Sequence, residues 1–178
     1  IFGRGGQGGV TLAKLIAETY FLRGMYAQAF GVYAAERSGA PVQAYVRIDE
    51  HEITNYNQIR EPDHIVVLDR TLIAPRVVTG LKKNGWLVLN TPEPSSTYGE
   101  MFPGRRLATV DATAIAVGNG LGTRTVPIVN TTMIGALLKA TNVIELESLF
   151  EPLKHRFSLL GERNMEAMKR AYNETIIK

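Results

Sequence analysis

The chain contains no cysteine. That absence excludes a disulfide framework, a cysteine zinc site and an iron–sulfur cluster held by this chain's own thiolates. Histidine is nearly as scarce. His51, His64 and His155 stand far apart with no HExxH pattern, so metal binding is not expected. No apolar run approaches the roughly 20 residues that cross a bilayer, and no charged-then-apolar leader stands at the front. A cytoplasmic protein with no membrane partner is expected. The sequence opens on Ile1 rather than Met, so leading residues are expected to precede it and the first strand to be cut short.

Neither sign of charge dominates. Lys and Arg number 20, Asp and Glu 17, for a net charge of +3, and they are interspersed. No block reads as a nucleic-acid arm or a membrane-surface stripe, and the expectation is a mixed, solvated surface with no nucleic-acid partner. Internal repeats, low-complexity stretches and linkers are also missing. With 178 residues and 45% of them hydrophobic, a single domain spanning 1–178 with a substantial core is expected.

What is present begins at the front. Gly3-Arg4-Gly5-Gly6-Gln7-Gly8-Gly9 precedes the helix-forming run Val10 to Glu18, and Gly3, Gly5 and Gly8 fit the spacing G-x-G-x-x-G. Such a turn lets backbone N–H groups at a helix N-terminus face an anion. The carboxylate that holds a dinucleotide ribose at the end of the second strand is missing; the first acid is Glu36, several residues into the following loop. The Gly-Lys-Ser/Thr of a phosphate loop is missing too, since Gly8-Gly9-Val10 stands there. Gly3, Gly5, Gly6, Gln7 and Gly8 remain the candidate cofactor-contact residues. The turn serves either an anion or partner contact, or simply tight packing of helix on strand.

Strands and helices alternate after it. The first helix ends near Gly24, a left-handed cap. Strands are expected at Tyr26 to Phe30, Pro41 to Asp49, His64 to Asp69, Trp86 to Asn90 and Arg106 to Asp111. Helices are expected at Leu72 to Lys83 and Ala112 to Val117, at a buried segment capped by Asn130, and at the amphipathic stretches Leu146 to Phe157 and Glu162 to Ile177. Pro152 should kink or restart the first of these last two. The fold class is α/β: a three-layer, Rossmann-like arrangement on a largely parallel sheet with a helical C-terminus.

Other chemistry is sparse. Tyr33-Ala34-Ala35-Glu36-Arg37-Ser38-Gly39-Ala40-Pro41-Val42 is a polar loop between strands, and Glu36 beside Arg37 is suited to hold a partner or orient an anion. Asp69 and Asp111 read as helix N-caps. Ser38 lacks a nucleophile elbow and no serine, histidine and acid form a triad. His64 and His155 read as structural, and no catalytic residue is assigned.

Three motifs occur in order: the glycine turn through Val10-Thr11, the Tyr33–Val42 loop with Val46-Arg47-Ile48, and Val129-Asn130-Thr131-Thr132-Met133-Ile134-Gly135-Ala136. Together they resemble the gamma subunit of 2-oxoacid:ferredoxin oxidoreductases over essentially the whole chain. The Glu-Arg-x-Gly-Ala-Pro-Val form is similar to the pyruvate-using branch, although Ser38 stands where many relatives carry a second Arg. The resemblance implies a complex that converts a 2-oxoacid and coenzyme A to acyl-CoA and carbon dioxide with reduction of ferredoxin. It implies thiamine diphosphate and iron–sulfur clusters held by alpha, beta and ferredoxin-like delta partners. It places Tyr33, Glu36 and Arg37 at partner contacts or active-site access.

Overall fold

In the computed structural model of the chain, residues 1–33 and 39–178 are described. The apolar runs become β4 (His64–Val67), β5 (Trp86–Asn90) and β6 (Arg106–Val110), which stand in parallel register with Ile65 beside Leu87 and Leu87 beside Leu107. Both of their faces are buried, as continuous apolar runs require.

Further strands extend this centre. β1 (Phe2–Arg4) pairs parallel with β4, and β3 (Pro41–Asp49) lies antiparallel to both β1 and β2 (Tyr26–Tyr33). At the far edge, β7 (Ile176–Ile177) is antiparallel to β6, giving the order β2-β3-β1-β4-β5-β6-β7. The sheet is mixed, with a parallel centre.

Helices cover one face: α1 (Gly9–Phe21), α2 (Ala112–Gly118), α3 (Asn130–Thr141), α4 (Phe150–Phe157) and α5 (Gly161–Glu174). Leu12, Leu15, Val66, Val88, Met133 and Met168 share that core. α3 is buried around most of its circumference and packs on α5 without a spacer. A Cβ on Gly135 would lie 2.0 Å from the Met168 carbonyl oxygen. Among the described residues, no helix is long and apolar enough to cross a membrane.

The opposite face corrects one expectation. Residues 72–83 form no α-helix; two 3-10 turns, Arg70–Leu72 and Pro75–Val78, carry Leu72 and Val77 into a second core with Ile65, Leu87, Leu89 and Phe102. The Asp69 carboxylate accepts the Thr71 N–H and winds the first turn tightly. Pro75 lacks an N–H to donate. Gly80 then turns at φ +78° against the Arg60 carbonyl and ends the stretch.

Four boundaries also move. α5 stops at Glu174 because Thr175, with its hydroxyl bonded to the Ala171 carbonyl, begins an extended β-branched run that joins the sheet as β7. Asn130 is the first helical residue of α3 rather than its cap, since the Val129 carbonyl before it accepts the first helical bond, from the Met133 N–H at 2.9 Å. Leu146–Leu149 is a 3-10 turn, after which the chain restarts as α4 with Pro152 in its first turn, where the missing N–H costs nothing. β2 is longer than expected and takes in Tyr33.

Candidate functional site

From β1 the chain leaves through α1 toward β2, whereas from β4 it leaves toward β5 on the other side. The sheet therefore has a switch point between the carboxyl ends of β1 and β4, where open α/β sheets form a crevice. The glycine turn follows β1 and Asp69 follows β4, so both stand at this crevice.

The turn is shaped by backbone conformations that only glycine adopts cheaply. Gly6 has φ +96° and Gly8 φ +78°. The first-turn N–H groups of α1 have no intrahelical acceptor, and Gly8 at the cap has no side chain to accept them. It also meets α3. A Cβ at Gly8 would sit 2.4 Å from Nδ2 of Asn130, which is itself only 3% exposed. Gly5 pairs with the residues just before β3: its N–H donates to the Ala40 carbonyl at 2.9 Å, and its carbonyl accepts the Gly39 N–H at 3.1 Å.

Gln7 bridges the turn to the end of β4. Its side-chain oxygen accepts the Arg4 N–H at 2.8 Å, and its Nε2 donates to the Asp69 carboxylate at 2.6 Å. Arg4 reaches the same corner. Its guanidinium donates to the Thr71 hydroxyl from Nε at 3.1 Å and Nη2 at 2.8 Å, and to the Gly39 carbonyl at 3.0 Å. Its Nε lies 3.6 Å from the Asp69 carboxylate. Burial pulls Asp69 upward, but hydrogen bonds from Thr71 and Gln7 and the Arg4 charge outweigh it and hold the carboxyl below its ordinary range.

The wall of the crevice is braced by Asn90 at the end of β5. Its Nδ2 donates to the Leu68 carbonyl at 2.7 Å and to the Thr113 hydroxyl at 3.0 Å, while its side-chain oxygen accepts the Thr113 N–H at 3.2 Å. That brace was missed in the sequence, although an Asn ending an apolar strand was the available signal. Asp111 caps α2 through the Ala114 N–H, as its position after β6 indicated.

The structure thus brings Gly3, Gly5, Gly6, Gln7 and Gly8 to one crevice and joins them to Asp69. Tyr33 closes β2 opposite Val42, and Glu36 and Arg37 lie outside the described residues. His155 is exposed on α4. His64 is half-buried at the opposite end of the sheet, its Nδ1 accepting the Trp86 N–H at 3.3 Å.

Residues 1–174 match the family described as pyruvate ferredoxin/flavodoxin oxidoreductase. The chain is 44% identical to the "Pyruvate/ketoisovalerate oxidoreductases common subunit gamma" of Thermococcus litoralis, over 98% of this chain and 95% of that protein. It is also 44% identical to the "Pyruvate synthase subunit PorC" of Methanocaldococcus jannaschii, over 99% and 95% respectively. The crystal structure of a pyruvate oxidoreductase subunit PORC from Thermotoga maritima superposes with a TM-score of 0.87 at 32% identity, covering 99% of this chain and 95% of that one. The ordered motifs, the fold and these full-length matches agree: the chain belongs to the pyruvate ferredoxin/flavodoxin oxidoreductase family, among its gamma subunits.

Proposed function

We propose that this chain works as the gamma subunit of a complex that oxidatively decarboxylates pyruvate with coenzyme A, giving acetyl-CoA and carbon dioxide and passing the electrons to ferredoxin. The alpha, beta and ferredoxin-like delta subunits are its partners in this reading, and they hold the thiamine diphosphate and iron–sulfur clusters. The donor set of this chain suits neither group. It has no cysteine, and among the described residues no cluster of three His, Asp or Glu stands ready for a metal ion. Its contribution is to shape and contact. The Gly3–Gly8 crevice, with Tyr33, Glu36 and Arg37 beside it in sequence, supplies a partner surface and part of the access for coenzyme A.

The observation that carries this reading is the occupation of the glycine turn by Gln7. In a freestanding dinucleotide or phosphate binder the mouth of the turn stays open to the ligand and offers it positive charge. Here a side-chain amide takes the Arg4 N–H and the Asp69 carboxylate stands across from it, which disfavours a phosphate at that spot. Calorimetric titration of the isolated chain with NAD, NADP, FAD, ATP and CoA tests it. The subunit reading expects no tight dinucleotide binding and at most weak binding of CoA. Tight binding of NAD, NADP or FAD would instead make this a nucleotide-binding protein that uses Gly3 to Gly8 for a phosphate.

A further inference from the structure

The chain's net charge of +3 is spread along the sequence, but the fold gathers it. Residues 60–63, 80–85 and 105–106 meet at the amino ends of β4, β5 and β6, the end of the sheet opposite the glycine turn. The Lys82 N–H donates to the Pro62 carbonyl at 3.1 Å, and Gly80 lies against the Arg60 carbonyl. Arg105 donates to the Leu81 carbonyl at 2.9 Å and Arg106 to that of Asn84 at 3.3 Å. Arg60, Lys82, Lys83, Arg105 and Arg106 thus share one rim with Glu61 and Asp63, a surplus equal to the whole net charge of the chain.

Only Lys82 is neutralised there, by Asp63 at 2.6 Å. Among the described residues, Arg60, Lys83, Arg105 and Arg106 have no carboxylate within ion-pair distance. Two of the arginines are held in place all the same. Neutral carbonyls fix Arg105, and Arg106 stacks over the Trp86 ring at 4.0 Å. None of the exposed large apolar side chains falls within 60–63, 80–86 or 103–106.

We infer that this rim is a docking surface for an acidic protein that visits the assembled complex transiently. Permanent interfaces centre on apolar side chains and are depleted in lysine. A rim of uncompensated cations with no apolar centre instead steers encounter and sets on-rate. The interleaved Glu61 and Asp63 repel a phosphate backbone, which favours a protein over nucleic acid. The inference rests on the proposed reading, in which the complex delivers electrons to a carrier protein.

The test uses the purified complex and, as probe, a ferredoxin with an excess of Asp and Glu, with binding followed at 20 and 300 mM salt. The wild-type complex should bind more weakly at high salt. The K82E/K83E/R106E variant should lose about tenfold in affinity at low salt and show a flatter salt dependence. K14E, a charge reversal on exposed Lys14 of α1, should match the wild type. Salt-independent wild-type binding, a triple variant within twofold of wild type, or equal loss in K14E would overturn the inference. So would a 20-base-pair duplex that binds more tightly than the ferredoxin and is lost in the triple variant. If the wild-type chain enters no complex at all, the subunit reading fails instead, and the two failures are distinguishable.

Discussion

The Gln7 amide donates to the Asp69 carboxylate at 2.6 Å, joining the turn after β1 to the strand end after β4 across 62 positions of chain. The contact ties the two sides of the switch point together. Asp69 also accepts from Thr71 and faces Arg4, so the group that shapes the 3-10 turn also locks the glycine loop.

Asp69→Asn should therefore destabilise the chain by about 1–3 kcal/mol at neutral pH, because it removes a charge-assisted acceptor and sets an amide against the Gln7 amide. Since the folded-state pKa lies below the ordinary 3.8, the carboxylate's stabilisation is complete above that value and is lost as pH falls through the depressed one. Thermal melts of wild type and variant should stay apart from pH 7 to pH 5 and draw together only as the pH falls below 3.8. A gap that widens in acid would contradict the role given to Asp69.

Gly8 and Gly6 should separate conformational strain from steric clash. Both have positive φ, but a Cβ at Gly6 meets nothing within 4 Å, whereas one at Gly8 lies 2.4 Å from Asn130. Gly6→Ala should cost about 1–2 kcal/mol, the left-handed penalty alone. Gly8→Ala should cost more, and adding Asn130→Ala should recover the difference in part. Denaturant unfolding of the three variants reads this directly; equal losses for Gly6→Ala and Gly8→Ala would contradict it.

His64 gives a second pH dependence. Burial, the larger influence, pulls its imidazole below the ordinary 6.5 against the opposing pull of Asp63, with Arg106 and Lys82 adding to the lowering. Its Nδ1 also accepts the Trp86 N–H, which requires the neutral ring. The unfolded chain takes the proton first, so stability is full above about pH 6.5 and falls as the pH drops through that value. His64→Gln, which does not titrate, should flatten the stability profile between pH 7 and pH 5. An unchanged slope would remove His64 from the account.

The ends of β3 and β5 were legible in the sequence because Pro41–Asp49 alternates cleanly and Trp86–Asn90 is apolar between turn residues. The 72–83 stretch was not, because apolar spacing there is shared by a helix and by paired 3-10 turns. What decided it were a carboxylate's local hydrogen bond and a glycine turning under a carbonyl. The glycine turn was legible from its spacing, but the contacts its residues make across the fold were not. Gln7 meeting Asp69, Asn130 packing on Gly8 and the basic rim all join residues far apart in the chain. No local pattern encodes such pairs; the topology of the sheet does.

The most direct test of the account is purification of the native protein with its associated chains, followed by pyruvate- and CoA-dependent reduction of ferredoxin. The account predicts recovery in a stable complex with thiamine-binding and iron–sulfur partners, and turnover or assembly lost on Glu36→Ala or Arg37→Ala. Recovery as a lone monomer, with neither partner present, would contradict it.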